Sequence, residues 1–162
     1  MIQRVQTIFM FLVAVAMILM IFFPLWEKVA VDQSEKMEMY STSLMHYQVS
    51  PEGNMELFDT KNIMYIALIA GVVALLSLYN IFQYRNRQLQ MKIGTLCAFL
   101  IMAALAITAI KILGAERLFD PEQKGTYNLG FFAPALALIL NSFAVRFIKK
   151  DEKLVKSVDR IR

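Results

Sequence analysis

The sequence contains very few of the residues from which most metal and catalytic sites are built. It has one cysteine, Cys97, and one histidine, His46. A single cysteine excludes an internal disulfide and a multi-cysteine metal site, and a single histidine excludes zinc or haem sites that need several. The glycine-rich loops that cradle phosphates are missing, as is a serine, histidine and carboxylate constellation beside the apolar segments. We therefore expect no enzyme activity, no metal and no cofactor.

Charged residues are also scarce, at 19% of the 162 residues, whereas hydrophobic residues make up 58% and the mean hydropathy is +0.52. A soluble domain of this size cannot bury so much apolar surface, so the composition indicates a protein surrounded by lipid. The length allows one domain, residues 1–162. The net charge of +4 does not indicate a nucleic-acid partner, because the aromatic platforms of nucleic-acid binders are missing.

Four apolar segments approach the roughly 20 residues that cross a hydrocarbon core about 30 Å thick. They cover about residues 8–23, 63–84, 93–113 and 129–148, and none contains an acidic residue. Backbone groups in lipid must be hydrogen-bonded within the segment, so each should be a helix. The predicted fold is an all-α integral membrane protein, a four-helix transmembrane bundle with a small β-hairpin in the first outer loop. The first segment is expected to stay in the protein, because no small-x-small cleavage site follows it.

The distribution of charge predicts how the chain is threaded. The side that holds both termini carries 11 basic and three acidic residues, and the other side carries six basic and ten acidic residues. Basic residues accumulate on the cytoplasmic side of membrane proteins. The sequence therefore predicts that both the N-terminus and the C-terminus are cytoplasmic.

Small residues recur on the second and fourth segments at helical spacing, which is typical of close helix contacts in lipid. Asn80 and Asn141 lie on the same faces, at comparable depth near the cytoplasmic ends. They can join helices by hydrogen bonds or, less simply, serve as ligands in a translocation path. The helix-packing candidates are Gly71, Ala74, Ser77, Asn80, Ala133, Ala137 and Asn141.

The outer loop, residues 27–61, is the largest segment outside the predicted spans. Its run MEMYSTSLMHYQV is rich in β-formers, SPEGN supplies turn residues and MELFD can return, so the loop predicts a two-stranded hairpin. Thioethers suit Cu(I), but the methionines here have no recognised metal-binding spacing, and packing of the hairpin is the simpler interpretation. The residues considered as copper ligands are Met37, Met39, Met45, His46 and Met55.

The C-terminal tail, residues 149–162, has the stripe of a short amphipathic helix with basic residues on its other surfaces. Two interpretations remain open: a helix on the anionic membrane surface, or a docking site for a partner protein. The candidate residues are Lys149, Lys150, Lys153, Leu154, Val155, Lys156, Val158, Arg160, Ile161 and Arg162.

The two ends, MIQRVQTIFMFLVA and FIKKDEKLVKSVDRIR, resemble an uncharacterised family, a domain of unknown function, of small four-span inner-membrane proteins of Gram-negative bacteria. The resemblance extends over the full length, because the spans, outer loop and tail occur in the same order. It implies a location in the bacterial inner membrane and a four-helix plan. The family has no established activity, so it supplies no catalytic or binding residues.

Two functions are compatible with this sequence. The first is a non-catalytic small subunit, scaffold or regulator of an envelope assembly, with a membrane-protein partner or further copies of itself beside the lipid bilayer. The alternative is a component of a small-molecule or ion transporter or channel. Its polar candidates within the spans are Asn80, Asn141 and Lys111, and no internal repeats are evident.

Overall fold

The computed structural model describes residues 3–50, 54–118 and 123–159. Four helices dominate it: α1 Gln3–Phe22, α2 Tyr65–Phe82, α3 Arg87–Glu116 and α4 Leu129–Asp159. Each contains a stretch that is long and apolar enough to cross a membrane. The four candidate spans indicate a multi-pass membrane protein.

The helices form a ring in which α1 packs against α2 and α4, and α3 packs against the same two helices. The buried face of α1 follows a helical spacing through Gln6, Met10, Val13, Met17 and Met20. Large apolar side chains on the outer faces remain exposed, as in a bundle surrounded by lipid. Examples are Phe11, Leu75, Phe99 and Leu136.

A five-stranded antiparallel sheet covers the end of the bundle opposite both termini. Its strands are β1 Trp26–Val29, β2 Glu35–Met39, β3 Ser43–Val49, β4 Met55–Asn62 and β5 Thr126–Tyr127, in the order β4-β3-β2-β1-β5. Met37 and Met39 on β2 are buried while Glu38 between them is partly exposed. This alternation is the period of two that a sheet with one buried face requires.

The prediction of an all-α bundle with one small hairpin is therefore wrong. The outer loop contains four strands, and the segment before α4 contributes a fifth. β3 and β4 lie on either side of the SPEGN segment in the sequence, but the run before that segment is not a single strand. It bends after Met39, where Tyr40 N donates to Ser43 O at 2.8 Å, and divides into β2 and β3. The fold is a mixture of helices and antiparallel sheet.

The turn between β1 and β2 is held by local side-chain hydrogen bonds. Gln33 has φ 58°, which lies in the left-handed region. Asp32 Oδ1 accepts hydrogen bonds from Ser34 N at 3.1 Å and from Ser34 Oγ at 2.6 Å. These bonds fix the turn locally and hold the pKa of the Asp32 carboxyl below its ordinary value, chiefly through the Ser34 hydroxyl. The strand before this turn, β1, is short and of mixed polarity.

Candidate functional site

A polar cluster joins three helices at the end of the bundle that carries the N-terminus. Asn80 Nδ2 on α2 donates to Gln90 O on α3 at 3.2 Å, and Gln90 Nε2 donates back to Asn80 O at 2.9 Å. Gln6 Nε2 on α1 donates to Gln90 Oε1 at 3.3 Å. All three side chains are buried. Gln90 therefore hydrogen-bonds α3 to both α1 and α2.

A second buried amide ties α4 to α3. Asn141 Nδ2 donates to Gly94 O at 2.8 Å, and Gly94 lies so close to α4 that an added Cβ would overlap Val145. Asn80 and Asn141 therefore bond to different residues of α3 rather than to a common centre. Both use their amide groups as links between helices.

Not every polar atom of the first cluster is satisfied. Within the described part of the chain, Gln6 Oε1 and Asn80 Oδ1 are buried and have no hydrogen-bond partner. Buried carbonyl-type oxygens without a partner are uncommon and costly. The cluster therefore holds two buried acceptors that no described donor reaches.

The small residues of the predicted packing faces are not equivalent. Ala74 and Ser77 on α2 and Ala133 and Ala137 on α4 are buried. Gly71 is only partly buried, and a Cβ added there would meet no described atom within 4 Å. The close backbone approach occurs at Gly94 instead.

The predicted tail is not a separate helix, since its residues continue α4 to Asp159. Arg87 at the start of α3 holds this extension: its Nη1 donates to Asp151 O at 3.0 Å, and its Nη2 lies 3.2 Å from Asp151 Oδ2. The second contact is an ion pair rather than a well-aligned hydrogen bond, since Asp151 Oδ2 has no hydrogen-bond partner among the described residues.

The tail residues fall into three groups. Five have exposed side chains: Lys149, Lys150, Lys153, Leu154 and Val155. Two others, Lys156 and Val158, belong to α4. The last three candidates, Arg160, Ile161 and Arg162, lie outside the described residues.

At the opposite end, Lys28 fastens the sheet to the bundle. Its side chain is 2% exposed, and its Nζ donates to Glu116 O at 2.9 Å, the last residue of α3. The C-terminal carbonyls of a helix carry partial negative charge and lack partners within the helix, so a cation is well placed there. The neighbouring Trp26 is fully buried, and Gly125 packs on its ring so closely that an added methyl group would overlap it.

Strand β4 forms one edge of the sheet, and all eight of its residues are exposed. Leu57 is 55% exposed and Phe58 is 67% exposed. The Phe58 ring contacts the His46 ring edge-on, with centroids 5.7 Å apart. An exposed edge with large apolar side chains is a template for pairing with another chain, and soluble proteins usually protect such edges.

The methionines of the outer loop lie in different surroundings. Met37 and Met39 are buried under the sheet, Met45 Sδ accepts a hydrogen bond from Tyr47 at 3.2 Å, and Met55 is exposed on β4. His46 Nε2 lies 3.2 Å from Glu35 Oε2. Hydrophobic packing and cross-strand contacts account for these positions.

A small cavity of about 180 Å³ lies between this sheet and the end of α3. The residues that line it are Met37, Leu44, His46, Asp59, Lys61 and Leu118. Ligand pockets usually occupy about 300–1,000 Å³, so the cavity suits only a very small guest.

Sequence reasoning missed Gln6, Gln90 and Lys28. Gln6 continues the buried stripe of α1, and Gln90 begins the stripe that Cys97, Ile101 and Ala104 extend along α3. That spacing could have identified both glutamines, although they lie outside the predicted spans. No comparable signal marks Lys28, because its partner is a backbone carbonyl 88 residues away.

The four apolar helices, each long enough to cross a membrane, indicate a multi-pass membrane protein, and the sheet lies outside the four candidate spans. Residues 2–161 match the family model described as "Domain of unknown function (DUF4293)", and the chain belongs to this family. The match covers nearly the whole chain. The comparison with curated proteins finds no match.

Proposed function

We propose that this protein is a non-catalytic subunit or scaffold of the bacterial inner membrane, which binds a partner through its outer sheet. The observation that carries the proposal is the free edge at β4, where every residue is exposed and Met55, Leu57 and Phe58 present apolar side chains. An edge strand of eight residues offers unpaired backbone groups to an extended segment of another chain.

The rigidity of the sheet supports this role. Strand pairing joins β4 to β3, β2 and β1, and Lys28 on β1 is bonded to the last turn of α3. A partner on β4 would therefore be held at a fixed position relative to the membrane helices. The scarcity of histidine and cysteine supports a role in assembly rather than in catalysis.

The proposed location has the bacterial inner membrane around the helices and both termini in the cytoplasm. The charge distribution supports this orientation, because the basic residues concentrate on the side of the termini. The sheet would then face the periplasm. A reporter fused after α4 tests the orientation, since activity of a periplasm-specific reporter there would contradict it.

Site-specific photocrosslinking in living cells tests the partner surface. A photoreactive residue is placed at Phe58 on β4, and a matched control is placed at Val31, which is 80% exposed in the β1–β2 turn. A discrete crosslinked species is expected from position 58 and not from position 31. The double variant Leu57→Ser/Phe58→Ser should lower the recovery of that species from mild detergent, whereas Val31→Ser should not.

Equal crosslinking from both positions, or none from β4 in cells that express the protein at its normal level, would contradict the proposal. The helix content of each variant, measured by circular dichroism, shows whether it has folded. A species with twice the mass of the chain would identify a second copy as the partner.

The partnerless oxygens of the inner cluster favour a second candidate function, a component of a transporter or channel. Gln6 Oε1 and Asn80 Oδ1 are buried acceptors in the bundle, and polar groups inside a membrane often line a path for a solute. Asn80→Leu tests this function. If it abolishes a measured flux through reconstituted vesicles while the protein remains folded, the scaffold proposal fails.

A further inference from the structure

Two adjoining grooves lie where α3 begins and the extension of α4 passes it. The first has a volume of about 710 Å³, and its lining residues are Tyr84, Arg85, Asn86, Arg87, Gln88 and Val155. The second has a volume of about 470 Å³, and its lining residues are Gln88, Met91, Lys92, Thr95 and Glu152. Because Gln88 lines both, they form one continuous surface, which we call the α3 groove.

The α3 groove contains two cations that form no ion pair with a described residue. Arg87 forms an ion pair with Asp151. Arg85 and Lys92 have no ion-pair partner among the described residues. Both are exposed, and Arg85 lies 5.8 Å from the centroid of the Tyr84 ring. Glu152 lines the second part together with Lys92, whereas the lining of the first part contains Arg85 and Arg87 and no acidic residue.

The side chains beyond Lys92 change from charged to apolar along one face of α3. Lys92, Thr95 and Phe99 follow one another at helical spacing, and all three are exposed. The Thr95 hydroxyl donates to Met91 O at 3.0 Å, so it is satisfied by the helix and leaves its methyl group on the surface. The face therefore offers a cation at one end and hydrocarbon at the other.

The depth of the groove matches a lipid headgroup. The exposed aromatic residues Tyr79, Phe82 and Tyr84 lie at the end of α2 and just after it, where aromatic rings meet headgroups. On α4, about 20 residues after Leu129 cross the hydrocarbon core, which leaves the first turns of the extension in the headgroup layer. Arg87 fixes Asp151 of that extension beside the groove.

We propose that the α3 groove is a binding site for one anionic phospholipid. Arg85, Gln88 and Lys92 bind the phosphate, and an acyl chain runs along Thr95 and Phe99. The charge of the groove selects an anionic headgroup over a zwitterionic one, and the apolar face selects a lipid over a soluble phosphate. The site does not depend on the proposed partner at β4, which lies at the opposite end of the bundle.

Native mass spectrometry of the full chain, purified in mild detergent and stripped of lipid, tests the proposal. The probes are phosphatidylglycerol, phosphatidylethanolamine with the same acyl chains, and inorganic phosphate. The wild type should retain phosphatidylglycerol about tenfold more strongly than phosphatidylethanolamine. The double variant Arg85→Gln/Lys92→Gln should lose about 30-fold in phosphatidylglycerol retention, since each cation near an anionic headgroup contributes about 1 kcal/mol.

The matched control is Lys149→Gln/Lys153→Gln, which removes the same charge from exposed positions on α4 that do not line the groove. It should change retention less than about twofold. Phe99→Ser should weaken retention of the lipid without creating phosphate binding.

If both double variants lose the same amount of phosphatidylglycerol retention, the lipid is attracted by diffuse surface charge rather than by a site, and the proposal is wrong. Equal retention of phosphatidylglycerol and phosphatidylethanolamine would also overturn the proposal. So would stabilisation of the protein by inorganic phosphate alone. A helix content unchanged from wild type excludes unfolding of either variant as the cause of a loss.

Discussion

The two ends of this molecule are held together by different kinds of contact. At the end with the N-terminus, helices are joined by the side-chain amides of Gln6, Asn80 and Gln90. At the other end, strands are joined by backbone pairing over the buried residues Trp26, Met37 and Met39. Lipid gives helices no hydrophobic reason to associate, so a few polar bonds and small residues matter there. In the sheet, which contacts water, the hydrophobic effect does operate, and the burial of large apolar side chains provides most of the stability.

The largest effect is expected at Trp26, a fully buried side chain on β1 of the sheet. Trp26→Ala should lower the free energy of unfolding by about 3–5 kcal/mol, because a large side chain leaves a cavity. Denaturant unfolding of the purified protein, followed by circular dichroism, measures the change. Val31→Ala in the exposed turn is the control and should have almost no effect. Equal effects at the two positions would show that the sheet has no hydrophobic core of its own.

A smaller effect is expected at Gln90, which bonds to both α1 and α2. Gln90→Leu removes two side-chain hydrogen bonds, and it should destabilise the bundle by about 1–2 kcal/mol. Unfolding in detergent measures the loss, and Gln88→Leu, at an exposed position one half-turn earlier, is the control. A more stable Gln90→Leu protein would mean that the partnerless oxygens cost more than the cluster contributes.

Asn141 should show a weaker version of the same behaviour, since it makes a single bond to Gly94 O. Asn141→Leu is expected to cost about 0.6 kcal/mol, an average value for hydrogen bonds between membrane helices. Ser142→Ala is the control, because the Ser142 hydroxyl bonds within its own helix to Leu138 O. If Asn141→Leu and Gln90→Leu lower the stability of the bundle equally, the effect does not follow the number of hydrogen bonds that each amide makes.

The smallest effect is expected at the turn of the sheet. Ser34→Ala removes the hydroxyl that lowers the pKa of Asp32, so that pKa should rise toward its ordinary value. A lowered carboxyl pKa stabilises the fold above the ordinary pKa, and this contribution is lost as the pH falls through the folded value. The variant should therefore show a weaker dependence of stability on acid pH. NMR titration of the Asp32 carboxyl measures the shift, and an unchanged midpoint would contradict it.

The helices could be predicted because each has a long apolar run whose backbone must be satisfied internally in lipid. The sheet was underestimated because β1 is short and of mixed polarity, with sequence WEKV. Its partner β5 has two residues and lies 97 or more positions further along the chain. Alternation within one segment cannot reveal pairing at that distance. The turn at Tyr40 also left β2 and β3 looking like one strand.

The candidate site residues also differ in whether the sequence alone could reveal them. Asn80 and Asn141 could be selected because an amide within an apolar run stands out against its neighbours. Gln90 sits among Arg87, Gln88 and Lys92, where a polar residue attracts no notice, and only its helical spacing to Cys97 distinguishes it. The α3 groove is formed where the connection between α2 and α3, the start of α3 and the extension of α4 meet, and no single segment contains all three.

The Lys28 bond to Glu116 has a mechanical consequence for the whole molecule. Helix α3 is 30 residues long, about 45 Å, and is attached at one end to β1 through Lys28 and at the other to α4 through Arg87. A displacement of the sheet would therefore act on α3 through Lys28, and α3 would carry it to Arg87 and Asp151 at the other end of the bundle. The sheet and the extension of α4 are thus mechanically coupled along the length of one helix.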